Sequence, residues 1–160
     1  MIPKKIDHIQ IPNNVLQDTL ENFRKEGLLH NESIAYWTGS FVNADAKINN
    51  VMFANSYSEF VSGQLSAKMP LSATFKIAEE IHNRKEILFA QIHSHPFEAF
   101  HSWIDDKYAI SFRLGFFSIV VPYFGKNISR LNQCKIYEYV GNTNWAELTD
   151  IENSRRFEVI

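Results

Sequence analysis

Two histidines stand two residues apart in the string Gln91-Ile92-His93-Ser94-His95-Pro96, directly after the apolar run Ile87-Leu88-Phe89-Ala90. That run reads as a buried strand. Side chains alternate along a strand, so His93 and His95 project from one face. Two imidazoles fixed at a strand end need little further ordering to act as a pair of nitrogen ligands. Pro96 has no N–H to donate and stops the ladder there. Six residues on, Ser102-Trp103-Ile104-Asp105-Asp106 offers a carboxylate. Two His and one Asp with an open fourth position make the ligand count of a catalytic zinc site, one ion per chain. The same residues have a structural use. Ser-x-x-Asp also begins helices, with Ser102 capping free N–H groups and Asp105 suiting the positive end of the dipole. A titratable cluster directly behind a buried strand costs stability unless its groups are engaged, which favours the ligand reading.

His93-Ser94-His95-Pro96 followed by Ser102-x-x-Asp105 resembles the metal motif of the JAMM/MPN (JAB) metalloprotease family: His-x-His-Pro, a short loop, then Ser-x-x-Asp. That family carries its catalytic Glu upstream, at the start of a strand, with a Gly seven positions later. Glu32 and Gly39 match this in Asn31-Glu32-Ser33-Ile34-Ala35-Tyr36-Trp37-Thr38-Gly39. The chain departs from the family in its loop, which is one residue short: Ser102 and Asp105 follow His95 by seven and ten positions. Asp106 keeps the family's count but breaks Ser-x-x-Asp. Asp105 is the expected ligand, because losing one loop residue is a smaller change than turning another side of the helix toward the metal.

The resemblance implies roles for these positions: His93, His95 and Asp105 as zinc ligands, Glu32 as general base and Ser102 as donor to an oxyanion. Zinc so held lowers the pKa of its water from ~15.7 towards ~7. Glu32, ionised at neutral pH, would take the water's proton and return it to the leaving amine, help typically worth ~10²–10⁴-fold. The Ser102 hydroxyl would steady the oxyanion, and losing such a donor costs ~10²–10³ in rate. The implied substrate is the amide or isopeptide bond after the C-terminal tail of a ubiquitin-like protein, in deconjugation or precursor processing. The short Phe97-Glu98-Ala99-Phe100-His101 loop is similar to compact prokaryotic members associated with ubiquitin-like conjugation systems, whose enzymes are further candidate partners. His101 is expected at the rim or against substrate rather than on the metal. Phe97, Phe100 and Trp103 would line a groove for an extended tail or belong to the core. Two rival functions stand beside this one: a catalytically silent MPN-type scaffold, whose relatives typically lose ligands that are all present here, and a metal hydrolase of a non-protein amide. No His-Glu-x-x-His, Cys-x-x-Cys or Gly-x-Ser-x-Gly points to another layout. Which modifier is cleaved and the oligomeric state are not written in the sequence.

The elements that must position these residues are those of an α/β protein. The 160 residues fit a single domain, 1–160. With 45% hydrophobic and 21% charged residues, the composition is that of a globular protein. A net charge of −2 without a basic run gives no footprint for nucleic acid. One cysteine, Cys134, forms no internal disulfide and packs in a strand, which suits a cytoplasmic protein. No apolar run approaches a membrane span, and the start lacks a signal-peptide core. Lys5–Ile11 alternates as a first strand, with His8 on its polar side. An Asn of Pro12-Asn13-Asn14 is expected to cap a helix whose Leu16, Leu20 and Phe23 share a face, closing near Gly27. Strands follow over 33–42 and 47–54, and 57–68 (including Phe60, Val61 and Leu65) is ambiguous. Pro70–Arg84 reads as a helix with Thr74, Ile77, Ala78 and Ile81 on one face. Trp103–Phe112 reads as a short helix, Phe116–Val121 as a strand buried on both faces, and Lys135–Val140 as a last strand before a polar tail. The expected architecture is a mixed curved β-sheet flanked by helices, with the histidine strand near its centre. The resemblance implies the MPN/JAB, cytidine-deaminase-like version of that fold.

Overall fold

The computed structural model describes residues 5–63, 67–102, 105 and 109–160. Leu65, Trp103 and Asp106 lie outside these. Among the described residues ten strands form: β1 (Ile9–Ile11), β2 (Ile34–Val42), β3 (Asp45–Phe53), β4 (Val61–Ser62), β5 (Ala67–Lys68), β6 (Ile87–Ser94), β7 (Phe117–Val121), β8 (Lys135–Gly141), β9 (Asn144–Glu147) and β10 (Phe157–Val159). The helices are α1 (Asn13–Leu28), α2 (Leu71–Asn83) and α3 (Asp150–Arg156). Eight strands make one mixed sheet in the order β10-β1-β3-β2-β6-β7-β8-β9, and β4 pairs with β5 separately. β6, which carries His93 and leads into His95, has four strands on one side of it and three on the other.

β2 shows why the sheet is covered on both faces. Its alternate residues Ala35 and Trp37 join one apolar cluster with Leu16, Leu20 and Phe23 of α1. Ile34 and Tyr36 join another with Ile77 and Ile81 of α2. A strand with helices on both sides loses the in-out alternation of polarity, and β7 is accordingly buried at every position. The Trp37 indole N–H donates to Thr19 Oγ1, which itself donates to the Val15 carbonyl, so the one polar residue on the buried face of α1 is satisfied.

Several expectations are corrected. α1 is not capped by an Asn: Pro12 occupies the N-cap and Asn13 is the first helical residue. On α2 the buried residues are Ala73, Ile77 and Ile81, while Ala78 is exposed. The helix expected to run to Phe112 does not reach there, since Ala109–Phe112 is non-helical. The polar tail is structured: Thr149 caps α3 in a reciprocal box with Glu152, and β10 pairs in parallel with β1. Among the described residues no helix is long and apolar enough to cross a membrane.

Candidate metal centre

β6 is paired on both sides, antiparallel to β2 and parallel to β7. His93 therefore stands on a backbone held between Ile34 and Val120. Past the strand end, His95 keeps the same rigidity by other means. Its N–H donates to the Val121 carbonyl (2.9 Å), and its carbonyl accepts from the Phe124 N–H (2.8 Å). That second bond needs an unusual turn, with Tyr123, Phe124 and Gly125 all at positive φ (54°, 51° and 76°). The Phe124 side chain lies against α1 at Gly27, where any Cβ would overlap it. Gly27 is thus required by this close approach rather than by the end of the helix. Sequence reading missed the turn, and its one visible signal is the Gly125 that follows two aromatics.

The β2–β6 register brings in the glutamate. Ile34 pairs with His93. One step further, Ser94 N–H donates to Ser33 O (3.0 Å) and Ser33 N–H donates to Ser94 Oγ (2.9 Å). Continuing the register by one more residue sets Glu32 across from His95. The Glu32 N–H donates to the Gly63 carbonyl (2.8 Å), tying it to the loop after β4. Glu32 is only 8% exposed. Burial pushes its carboxyl up to about 7; His95 draws it down and the Asp105 charge pushes it up.

Asp105 closes the cluster. Its Oδ1 lies 3.1 Å from His93 Nε2 and its Oδ2 3.6 Å from His95 Nε2. Burial raises its pKa, but the charge of His93, contacts from both imidazoles and the Ser102 N–H outweigh that and hold it far below the usual carboxylate range. The Ser102 N–H donates to Oδ2 (2.7 Å), and Ser102 Oγ accepts from the Asp105 N–H (3.2 Å). The helix-start geometry of Ser-x-x-Asp and its position beside the histidines hold at once. Asp105 lies beside both histidines and Ser102 is bonded to it, while Asp106 lies outside the described residues. His101 does not join the cluster. Its ring centroid is 6.4 Å from that of His93, and its Nε2 lies 3.1 Å from Ser118 Oγ. Phe97 and Phe100 are exposed, and Phe100 packs edge-on against His95 (4.7 Å between centroids). Cys134 is buried with its thiol pushed up to about 12, a packing residue.

These donors suit a divalent cation. Ligand atoms of His93, His95 and Asp105 all lie within 4.8 Å of one another, and among the described residues this is the one such group. Bonds of about 2.0–2.2 Å to a tetrahedral ion imply ligand–ligand edges of about 3.3–3.6 Å, close to the two His–Asp spacings of 3.1 and 3.6 Å. His93 is buried with neither ring nitrogen in an aligned hydrogen bond, although Asp105 is near. A buried imidazole costs free energy in that state, and an ion at Nε2 would relieve it.

No family model matches the chain. It is 26% identical over 140 residues to a Sinorhizobium fredii protein named as a probable metalloprotease, covering 88% of this chain and 86% of that one. The solution structure of a Desulfitobacterium hafniense protein superposes with a TM-score of 0.67 over 95% of this chain and 92% of that one, at 15% identity, a likeness of fold.

Proposed function

We propose that this chain is a zinc-dependent metallopeptidase of the JAMM type, hydrolysing the amide or isopeptide bond after the C-terminal tail of a ubiquitin-like protein. The observation that carries the proposal is the convergence of His93, His95 and Asp105 beside a buried Glu32 whose pKa is pushed up to about 7. The likeness over most of the chain to a protein named as a probable metalloprotease supports the metallopeptidase class. The finer assignment rests on the motif resemblance.

His93, His95 and Asp105 would hold the ion, which when bound supplies a Lewis acid for the scissile carbonyl and acidifies water. Glu32 accepts a proton from the attacking water and delivers it to the leaving amine. A carboxylate with a pKa near the working pH is suited to both transfers. Its side chain is buried, and the hydrogen bond from its N–H to the Gly63 carbonyl ties down its main chain. Ser102 sets the orientation of Asp105 through its N–H, and its hydroxyl is the proposed donor to the oxyanion.

The test combines metal content with cleavage. The purified protein is expected to bind one zinc per chain and to cut ubiquitin-like fusions after the modifier's tail. Zinc binding with cleavage of short peptides or small amides instead of the fusions would place the substrate elsewhere. Absence of bound zinc would remove the hydrolase and leave a scaffold.

A further inference from the structure

We propose that His101 is a positioning residue of the metal site, wedged into strands β7, β8 and β9 so that it fixes the loop that delivers Asp105. This rests on the reading of Asp105 as a ligand. Between His95 and Asp105 the described residues Pro96–Ser102 form neither helix nor strand, and Phe97 and Phe100, the large apolar residues among them, are 63% and 55% exposed. Among the described residues 96–102 the ties nearer His95 are the Phe97 carbonyl, which accepts from the Tyr123 N–H (2.9 Å), and the Phe100 ring against His95. A segment whose described apolar side chains are exposed opens locally at little cost, yet it leads to a carboxylate set beside two histidines. His101 supplies a buried anchor next to that carboxylate's turn.

Its Nε2 lies 3.1 Å from the hydroxyl of Ser118, a residue buried in β7. Its ring stacks on Tyr137 of β8 (4.8 Å, 28°) and lies 4.9 Å from the ring of Trp145 of β9. Pairing aligns Gln91 with Ser118 and Ser118 with Tyr137 across β6, β7 and β8. Registered partners share a face, and so do residues two apart in one strand, so His101 is seated on the face that carries His93, one row back. The next residue, Ser102, donates its N–H to Asp105 Oδ2. The anchor is therefore immediately upstream of the turn that orients the third ligand. Phenylalanine would supply the stack without a nitrogen for Ser118; histidine supplies both. Partners that orient ligands are typically worth ~10–100-fold in metal affinity.

The test measures amide exchange of the metal-free full chain together with zinc affinity, in the wild type, His101→Ala, His101→Gln and Ser118→Ala. In His101→Ala, exchange across 97–105 is expected to accelerate about tenfold or more while β6 and β7 keep their protection, a local opening. Zinc affinity should drop ~10–100-fold. His101→Gln, whose carboxamide reaches Ser118, should recover most of both, and Ser118→Ala should shift both in the direction of His101→Ala. Unchanged loop exchange in His101→Ala, wild-type zinc affinity in that variant, or equal loosening of β6 and β7 would each overturn the proposal. If the loop loosens in His101→Ala but the wild type binds no zinc, the anchor stands and the hydrolase reading falls.

Discussion

At the level of single residues, Glu32 is where stability and chemistry pull apart. A carboxyl whose folded pKa is raised from 4.5 to about 7 favours folding below its unfolded value and loses that contribution as pH rises through about 7. Above that pH the metal-free protein carries a desolvated anion. Glu32→Gln removes it, so denaturant titration of the metal-free variant at pH 8 should show it more stable than wild type. A gap of about 1–3 kcal/mol is expected, after discounting for partial solvation, and it should close by about pH 4.5. The same variant should keep its zinc and lose hydrolysis by ~10²–10⁴-fold. In the wild type, kcat/KM should fall as pH drops and Glu32 takes up its proton, with the limb at or below about 7 because a nearby cation lowers this pKa. A Glu32→Gln protein that is both less stable at pH 8 and fully active would show that Glu32 is an ordinary buried acid.

At the level of elements, the site depends on how β2 lies against its neighbours, and Gly39 sets that. The β2–β3 register shifts between Thr38 and Gly39, and a Cβ at Gly39 would overlap the Lys47 carbonyl oxygen. Backbone cannot yield there as a flexible side chain would, so Gly39→Ala should cost about 2–4 kcal/mol, read as a lowered denaturation midpoint. Because β2 also pairs with β6, zinc affinity should fall with it, whereas an unchanged midpoint would mean that β3 shifts freely. Much of this arrangement was legible in the sequence. Runs such as Phe116–Val121 announce a strand covered on both faces, and His-x-His after an apolar run announces two imidazoles close together at a strand end. What was not legible depends on partners distant in sequence. Ala73 rather than Ala78 faces the core because tertiary packing, not the helical wheel alone, sets the rotation of α2. The turn 122–125 owes its left-handed backbone to the His95 carbonyl, and the polar tail folds because β1 offers it an open edge. The sequence points His101 to the rim or to substrate because Ser118, Tyr137 and Trp145 lie on three strands that no local pattern links to it.

At the level of the whole molecule, the two ends of the chain are locked together. Arg156 at the end of α3 forks onto Glu138 of β8 (2.7 and 3.0 Å) and donates twice to the Ile6 carbonyl, all of it buried. Arg156→Ala would leave Glu138 charged, buried and unpaired, with an expected loss of about 3–5 kcal/mol in equilibrium unfolding. An exposed pair would lose less than about 1 kcal/mol, so a small effect would mean that water reaches Glu138. The metal acts on the same global equilibrium. An ion that binds only where His93, His95 and Asp105 have converged binds the folded state alone, and so stabilises it by about 2.7 kcal/mol at a free concentration of 100 Kd. Thermal unfolding should therefore shift upward as zinc is added and return on chelation. Asp105→Asn should abolish the shift, since a neutral amide is a poor partner for the ion. Glu32→Gln should keep it, because Glu32 is not among the converging ligands. Loss of the shift in both variants would make Glu32 a ligand rather than a base. A wild-type protein indifferent to zinc would mean that the His93–Asp105 and His95–Asp105 contacts only hold a loop to a strand.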